Sequence, residues 1–455
     1  MDNAAGSKLK IHIPPLPLRA IEALNSEGFE AYAVGGCVRD SLIGISPNDW
    51  DIATGAEPEQ VKKLFKRTVD TGLKHGTVTV LLDNESFEIT TFRIDGEYRD
   101  NRKPEEVRFT RSLKEDLSRR DFTANAIAYH PFHGLIDPFG GVSDIQKRII
   151  RAVGNAEKRF NEDALRILRA VRFSAQLGFE IDKKTLEGIK ATSFLLSNIS
   201  SERIRDELTR LLLSNNPMKF SLLNDTGILS HVLPELEPCF ATDQRHPYHI
   251  YNVALHSLTA VKNIEATPVL RWTMLLHDTG KPHTKTTDKK GTDHFYGHHH
   301  KSTEIANAVL KRLKFDNKTI DTVCRLVKNH DRQIEPQPTA VRRAVCSIGE
   351  DIFELLLKVR AADIKAQNPA FLPDRLEKLG KIRNIYMEIK AMGQCLSTRE
   401  LSINGDDLIA SGFRQGKEIG GILKNLLKEV VNNPELNQRE TLLEMALKAQ
   451  RRKPR

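Results

Sequence analysis

The sequence predicts an α+β protein: a head of mixed sheet and helices, followed by a remainder that is almost wholly helical. Three observations carry this. Segments rich in Val, Ile, Thr and Phe, with strand-type alternation, are confined to the first 150 or so residues. Beyond residue 155 the pattern turns helical and is broken only by Pro and Gly. At 455 residues the chain exceeds what one core holds, so about two to four domains are expected.

The elements follow in order. Residues 17–30 read as a helix, and the apolar run "AYAVGG" after it as a strand ending in two glycines. "GTVTVLLDNESFEITTFRI" alternates like a hairpin, with Asp83-Asn84 at the turn. "RDFTANAIAY" and "LIDPFGGVSDIQKRII" add a helix, a turn and a further short strand or helix. "NEDALRILRAVRFSAQLGF" reads as one helix, capped by Asn161 and closed by Gly178. "SSERIRDELTRLLLS" is another capped amphipathic helix. No fixed-period repeat is present, and the tail "AQRRKPR" reads as a solvated basic end. Domain boundaries are placed at 1–154, 155–215, 216–370 and 371–455.

Composition excludes several classes. A hydrophobic fraction of 39% with 28% charged residues fits a globular chain, not a disordered or fibrous one. No apolar run approaches the roughly 18 residues of a membrane span. The first residues, "MDNAAGSKLKIHIPP", lack the apolar core of a secretion signal, so a cytoplasmic protein is expected. Five scattered cysteines with no C-x-x-C spacing argue against a disulfide framework or a Cys-ligated zinc. A net charge of +9 is compatible with a polyanionic partner.

The chemistry concentrates in "AVGGCVRDSLIGISPNDWDIAT", residues 33–54. In a strand, alternate residues face the same way, so Asp49 and Asp51 should lie side by side, with Trp50 and Ile52 toward the core. Two such carboxylates repel unless a cation neutralises them, and a pair of Mg²⁺ ions does so in phosphoryl and nucleotidyl transfer. Gly35-Gly36 lets backbone N–H groups approach phosphates, and Arg39 would offset triphosphate charge. A tight turn followed by a solvated acidic loop is the plainer reading of either motif alone. Glu88, charged in a β-branched strand, is a candidate third carboxylate or simply an exposed one.

These residues bring a family into view. Gly-Gly-x-Val-Arg-Asp with Asp-x-Asp resembles the nucleotidyltransferase signature of the polymerase-β superfamily. "DLSRRDFTANAIAY", "DPFGG", "NEDALRILRAVRF" and "SERIRDEL" follow in order and resemble the remaining motifs of class II tRNA nucleotidyltransferases and bacterial poly(A) polymerases. "TGLKHGTVTV" looks like the tRNA branch, and "DGEYRDNRKPEEVRF" (95–109) resembles the flexible loop of enzymes that add all of CCA. Ala124 departs from the family's larger apolar residue at that place, which bears on packing. The resemblance implies a nucleotidyltransferase head with Mg²⁺ at Asp49 and Asp51, CTP and ATP as substrates, and tRNA as partner. It places Gly36, Arg39, Arg120, Asp163, Arg166, Arg169 and Arg172 at the nucleotide. Poly(A) synthesis, or addition of the terminal A alone, is the close alternative.

Base choice without a template has a physical rationale. Residues three apart on a helix are neighbours, which pairs Asp163 with Arg166. Cytosine and adenine both show an amino donor beside a bare ring nitrogen. Asp163 accepts from the first and Arg166 donates to the second. Uracil and guanine present the reverse, and a buried mismatch of that kind discriminates strongly. Arg169 and Arg172 continue the row, or else form a solvated basic face. The 95–109 loop is the candidate lever between C and A.

The second half holds His256, His277, Asp278, His298, His299, His300, His330 and Asp363. This pattern resembles the HD metal-dependent phosphohydrolases. It implies an HD-type body with a second divalent metal on His256, His277, Asp278 and Asp363, and with His298 and His330 as additions. Such a site would cleave phosphate esters or cyclic phosphates, as at damaged tRNA ends. The alternatives are a helical scaffold that has lost its metal, and a phosphohydrolase whose front half merely binds RNA.

Overall fold

One strand pair positions the front of the molecule. The computed structural model describes residues 10–83, 85–96, 98–99, 103–104 and 107–451. It divides into two units, Met1–Pro234 and Glu235–Arg455. The first holds a seven-stranded sheet in the order Gly134–Ile136, Ala128–His130, Ala31–Val34, Ile52–Thr54, Glu85–Thr91, Thr77–Leu82, Thr68–Gly72. Its neighbours run antiparallel except Ile52–Thr54 and Glu85–Thr91, which are parallel with Ile52 opposite Ile89. Ala31–Val34 is buried throughout, as its unbroken apolar run requires of a central strand. Tyr32, Val34, Ala53, Phe92, Leu117 and Ala128 share one core cluster.

The first helix is Pro15–Ser26, earlier than the sequence suggests, because prolines are accommodated in a first turn. The 77–91 hairpin forms, with Asp83 at φ 46° in its turn, while Asn84 lies outside the described residues. The 95–109 segment is described in part: Arg93–Asp95 pairs with Val107–Phe109, and Tyr98–Arg99 with Lys103–Pro104. Its residues 97, 100–102, 105 and 106 lie outside the described set.

Two expectations need correction. Asp49 and Asp51 precede the strand, which begins at Ile52. The alternation holds all the same, with Trp50 and Ile52 buried and both aspartates exposed. The helix from Asn161 is two helices, Ala156–Glu162 and Leu165–Leu177. Asn155 caps the first by accepting from the Lys158 N–H at 2.8 Å, whereas Asn161 lies inside it and donates to the Glu157 carbonyl. Asp163 breaks the run at φ −139°, ψ 104°, its carboxylate accepting the Leu165 N–H at 3.1 Å. A short acidic side chain that captures a backbone N–H competes with the helix in this way. Gly178 closes the second helix in the left-handed conformation, φ 67°.

The second unit is helical apart from the two-residue strands Thr286–Thr287 and Asp293–His294. Its last helices, Gly405–Ala410, Lys417–Asn432 and Arg439–Arg451, enclose a core that includes Leu408, Val430 and Leu442. All five cysteines are free. Among the described residues no helix is long and apolar enough to cross a membrane.

Candidate active site

The parallel register sets Asp51, one residue before Ile52, beside Glu88, one residue before Ile89. Their carboxylates reach the surface, yet surrounding protein crowds them. Burial is the largest cause raising the Glu88 pKa, followed by the charges of Asp51 and Asp49. Asp51 is raised by burial and by Asp49, against the lowering effect of Arg120. Three mutually repelling carboxylates with only oxygen donors suit a hard divalent cation.

Behind them lies a buried cationic lattice. Gly35 holds φ 78° and ψ −127° at the start of helix Gly36–Leu42. The positive φ is what favours glycine there, and a Cβ would stand 2.7 Å from Arg120 Nη1 and push that guanidinium aside. Arg120 Nε is buried without a partner, and its Nη2 stands 3.6 Å from Asp116. Arg39 is buried and donates to Asp40 and to the side-chain oxygen of Asn125. Asn125 Nδ2 donates to Asp121 at 3.0 Å, and Asp121 accepts two bonds from Arg169 at 2.6 and 2.8 Å. Burial would raise the Asp121 pKa, but Arg169 and Asn125 bring it down to about 2. Arg39, Arg169 and Arg172 all lie over the Phe173 ring, at 5.2, 5.2 and 3.9 Å from its centre.

Asp163 and Arg166 sit at the start of one helix rather than along its face, since Asp163 occupies the break before it. Asp163 accepts from Arg203 at 3.1 Å. Arg166 donates to Glu162 at 2.8 Å and to the Arg119 carbonyl at 2.8 Å. Arg172 is buried and donates to Glu207 at 2.5 Å and Gln176 at 2.7 Å. Arg169 and Arg172 are therefore committed to ion pairs with Asp121 and Glu207 and do not form a solvated basic face. Sequence reading missed Asp121, Asn125, Glu162, Arg203 and Glu207. The first two lie within "RRDFTANA", but only Arg120 was singled out there. Arg203 meets Asp163 across 40 residues, which no spacing rule detects.

The second unit brings the histidine–aspartate set together. The Nδ1 atoms of His256, His277, His298 and His330 face the carbonyls of Ala366, Met274, Phe295 and Val327, at 3.2, 2.7, 2.8 and 2.7 Å. A ring nitrogen facing a carbonyl carries the proton, which leaves Nε2 as a bare lone pair in the neutral ring. All four Nε2 atoms converge. That of His256 stands 2.9 Å from Asp363, and that of His277 3.3 Å from Asp278 Oδ2. Those of His298 and His330 stand 3.4 and 3.5 Å from Asp278 Oδ1. The pairs His256–His277 and His298–His330 face each other at 3.4 and 3.2 Å, where bare lone pairs repel. A cation relieves that conflict, and imidazole with carboxylate is a transition-metal donor set. With protons alone, burial lowers the His277 pKa but Asp278 and Asp363 outweigh it, giving about 10. Of the other two sequence candidates, His299 lies 3.5 Å from Asp331 and His300 is exposed.

Residues 31–151 match the family described as "Poly A polymerase head domain". Residues 178–240 match "Probable RNA and SrmB- binding site of polymerase A", and 295–446 match "tRNA nucleotidyltransferase domain 2 putative". The CCA-adding enzyme of Lactiplantibacillus plantarum is 36% identical over 432 residues, covering 94% of each chain. That of Ligilactobacillus salivarius is 37% identical over 441 residues, covering 95% of each. The crystal structure of the Bacillus stearothermophilus CCA-adding enzyme in complex with CTP is similar at a TM-score of 0.73 and 32% identity, over 96% of this chain and 98% of that one. The Thermotoga maritima CCA-adding enzyme complexed with tRNA shares the fold, with a TM-score of 0.59 at 22% identity.

Proposed function

This chain belongs to the CCA-adding enzymes, and on that footing we propose how its residues divide the work. The reaction is template-independent addition of CCA to tRNA 3′ ends from CTP and ATP, with release of pyrophosphate, and it depends on a divalent metal. Mg²⁺ is the metal that suits the all-oxygen set of Asp49, Asp51 and Glu88. When bound, it supplies Lewis-acid activation of the attacking hydroxyl and neutralises developing charge on the phosphates. Gly36, Arg39 and Arg120 receive the triphosphate. Asp163 and Arg166 read the amino group and ring nitrogen of C or A, exchanging Arg203 and Glu162 for the base. Arg169 and Arg172 hold the pocket wall against Phe173 through Asp121 and Glu207.

The observation that carries this reading is the parallel register that sets Asp51 beside Glu88 with Arg120 acting on Asp51. Labelled CTP and ATP, offered singly to tRNA ending before, within and after CC, test it. Ordered uptake of two C and one A is expected, and failure with both nucleotides overturns it. A cytoplasmic location and the four-part division at 154, 215 and 370 belong to the same proposal.

The convergence of four Nε2 atoms on two aspartates favours a second function. We propose that His256, His277, Asp278 and Asp363, with His298 and His330 beside them, hold a divalent metal for phosphate-ester hydrolysis. Calorimetric titration of Mn²⁺ into an Asp49→Ala, Asp51→Ala protein tests it. Binding that disappears in His277→Ala supports the site, and no binding at all refutes it.

A further inference from the structure

Helix Leu113–Ser118 carries in its last turn a buried aspartate whose two oxygens are used unequally. Asp116 is 1% exposed. Its Oδ1 accepts from Arg119 Nη2 at 2.7 Å, from Arg119 Nε at 3.0 Å and from the Arg93 backbone N–H at 3.3 Å. Its Oδ2 is buried and has no hydrogen-bond partner. Arg120 Nη2 faces that oxygen at 3.6 Å. A committed guanidinium–carboxylate pair closes to about 2.7–2.9 Å. Arg120 Nε is buried and lacks a partner as well. Leaving a carboxylate oxygen and a guanidinium N–H unmatched in the interior is costly, unless a ligand completes one of them.

The turn that Oδ1 fixes also carries the residue assigned to the base. Arg166 Nη2 donates to the Arg119 carbonyl at 2.8 Å, and Arg159 Nη1 to the Ser118 carbonyl at 3.0 Å. Both carbonyls lie at the end of helix Leu113–Ser118, where backbone acceptors without helical partners draw cations. Arg119 follows Asp116 by three residues, so its side chain folds back over the same helix face. Toward the catalytic carboxylates, Arg120 reaches the turn at Gly35 and acts on the charge of Asp51. One buried carboxylate therefore stands between the cation assigned to the triphosphate and the cation assigned to the base.

We propose that Asp116 is a positioning residue for nucleotide choice: Oδ1 fixes the turn that holds Arg166 at the base, and Oδ2 holds Arg120 loosely until a triphosphate takes it. Asp116 itself touches neither nucleotide nor metal. This rests on the roles given above to Arg120 and Arg166.

The test uses the full chain with Mg²⁺ and tRNA lacking CCA, and measures kcat and KM for CTP and for UTP. Asp116→Asn keeps the shape and one acceptor oxygen but removes the charge. The ratio of kcat/KM for CTP to that for UTP should fall by about tenfold or more, the scale of a buried hydrogen bond to a charged group. A merely structural aspartate would lower both nucleotides alike through the folded fraction and leave the ratio as it was. Asp116→Glu restores the charge and should recover part of the loss. Inhibition by inorganic triphosphate should be no weaker in Asp116→Asn, because a rival for Arg120 has gone; weaker inhibition overturns the role of Oδ2. Adding Asp116→Asn to Arg166→Ala should move the ratio by less than about twofold, since residues that act as one unit are not additive. If Asp116→Asn does not fold, Arg119→Gln, which removes the side-chain partner of Oδ1 and keeps the carbonyl, should show the same fall. An unchanged ratio in folded Asp116→Asn or in Arg119→Gln, with the ratio lost in Arg166→Ala, overturns this proposal alone. An unchanged ratio in Arg166→Ala overturns the base-reading assignment and this proposal with it.

Discussion

Replacing Asp121 with Asn should destabilise the first unit by more than a routine surface substitution does. Asp121 is buried, accepts two bonds from Arg169, and orients Asn125, which in turn holds Arg39. Its pKa falls from 3.8 to about 2 on folding. At about 1.36 kcal/mol per unit, that is about 2 kcal/mol of stability at pH 7. The variant also leaves Arg169, whose side chain is 33% exposed, without its partner, so the roughly 3–5 kcal/mol of breaking a fully buried pair from one side is an upper bound. The expected loss therefore lies between about 2 and 5 kcal/mol. The sign follows from a depressed acid. The contribution is full above the unfolded value of 3.8 and fades as pH falls through about 2, so parent and variant should converge across that window. The chain has two tryptophans, Trp50 in the first unit and Trp272 in the second. Urea unfolding followed by fluorescence in Trp272→Phe reports the first unit alone, and in Trp50→Phe the second. The loss should appear only in the first. A shift under about 0.5 kcal/mol at pH 7, the scale of a surface substitution, would refute the lattice as a structural element.

Three further outcomes follow from the site. Gly35→Ala combines a strained backbone with a contact 2.7 Å from Arg120 Nη1, so it should cost about 1–2 kcal/mol and most of the CTP incorporation, read by gel. Arg166→Ala should lower kcat/KM for both CTP and ATP and raise misincorporation of UTP, by about tenfold or more for each buried hydrogen bond lost; selective loss of one correct nucleotide would contradict shared base reading. Deleting the 95–109 loop should spare C addition and abolish A addition; equal loss of both removes the loop as the lever between them.

Much of this molecule is legible in its sequence, though unevenly. Local rules carried the sheet's apolar run at 31–34 and its hairpin about Asp83, and the helix end at the left-handed Gly178. The break at Asp163 escaped because hydrophobic periodicity runs through it, while one carboxylate capturing the Leu165 N–H stops the helix. Asp49 and Asp51 alternate in burial as a strand would, though the ladder starts one residue later. The ion pairs Arg203–Asp163, Arg172–Glu207 and Arg169–Asp121 join distant segments, and no periodicity encodes them. In the second unit the histidines were visible, but the backbone carbonyls that fix all four Nδ1 atoms depend on helix ends that only the fold supplies.

The most direct measurement of the central claim is incorporation of labelled CTP and ATP onto tRNA lacking CCA by the Asp49→Ala, Asp51→Ala double variant. Both carboxylates lie outside the core, and Asp51 is held at a raised pKa by burial and by Asp49. Their removal should therefore leave the first unit folded, and at least as resistant to urea as the parent, while nucleotide addition disappears and Mn²⁺ still binds the histidine–aspartate cluster. Undiminished CCA addition by the folded double variant would contradict the assignment of the catalytic metal site to the head.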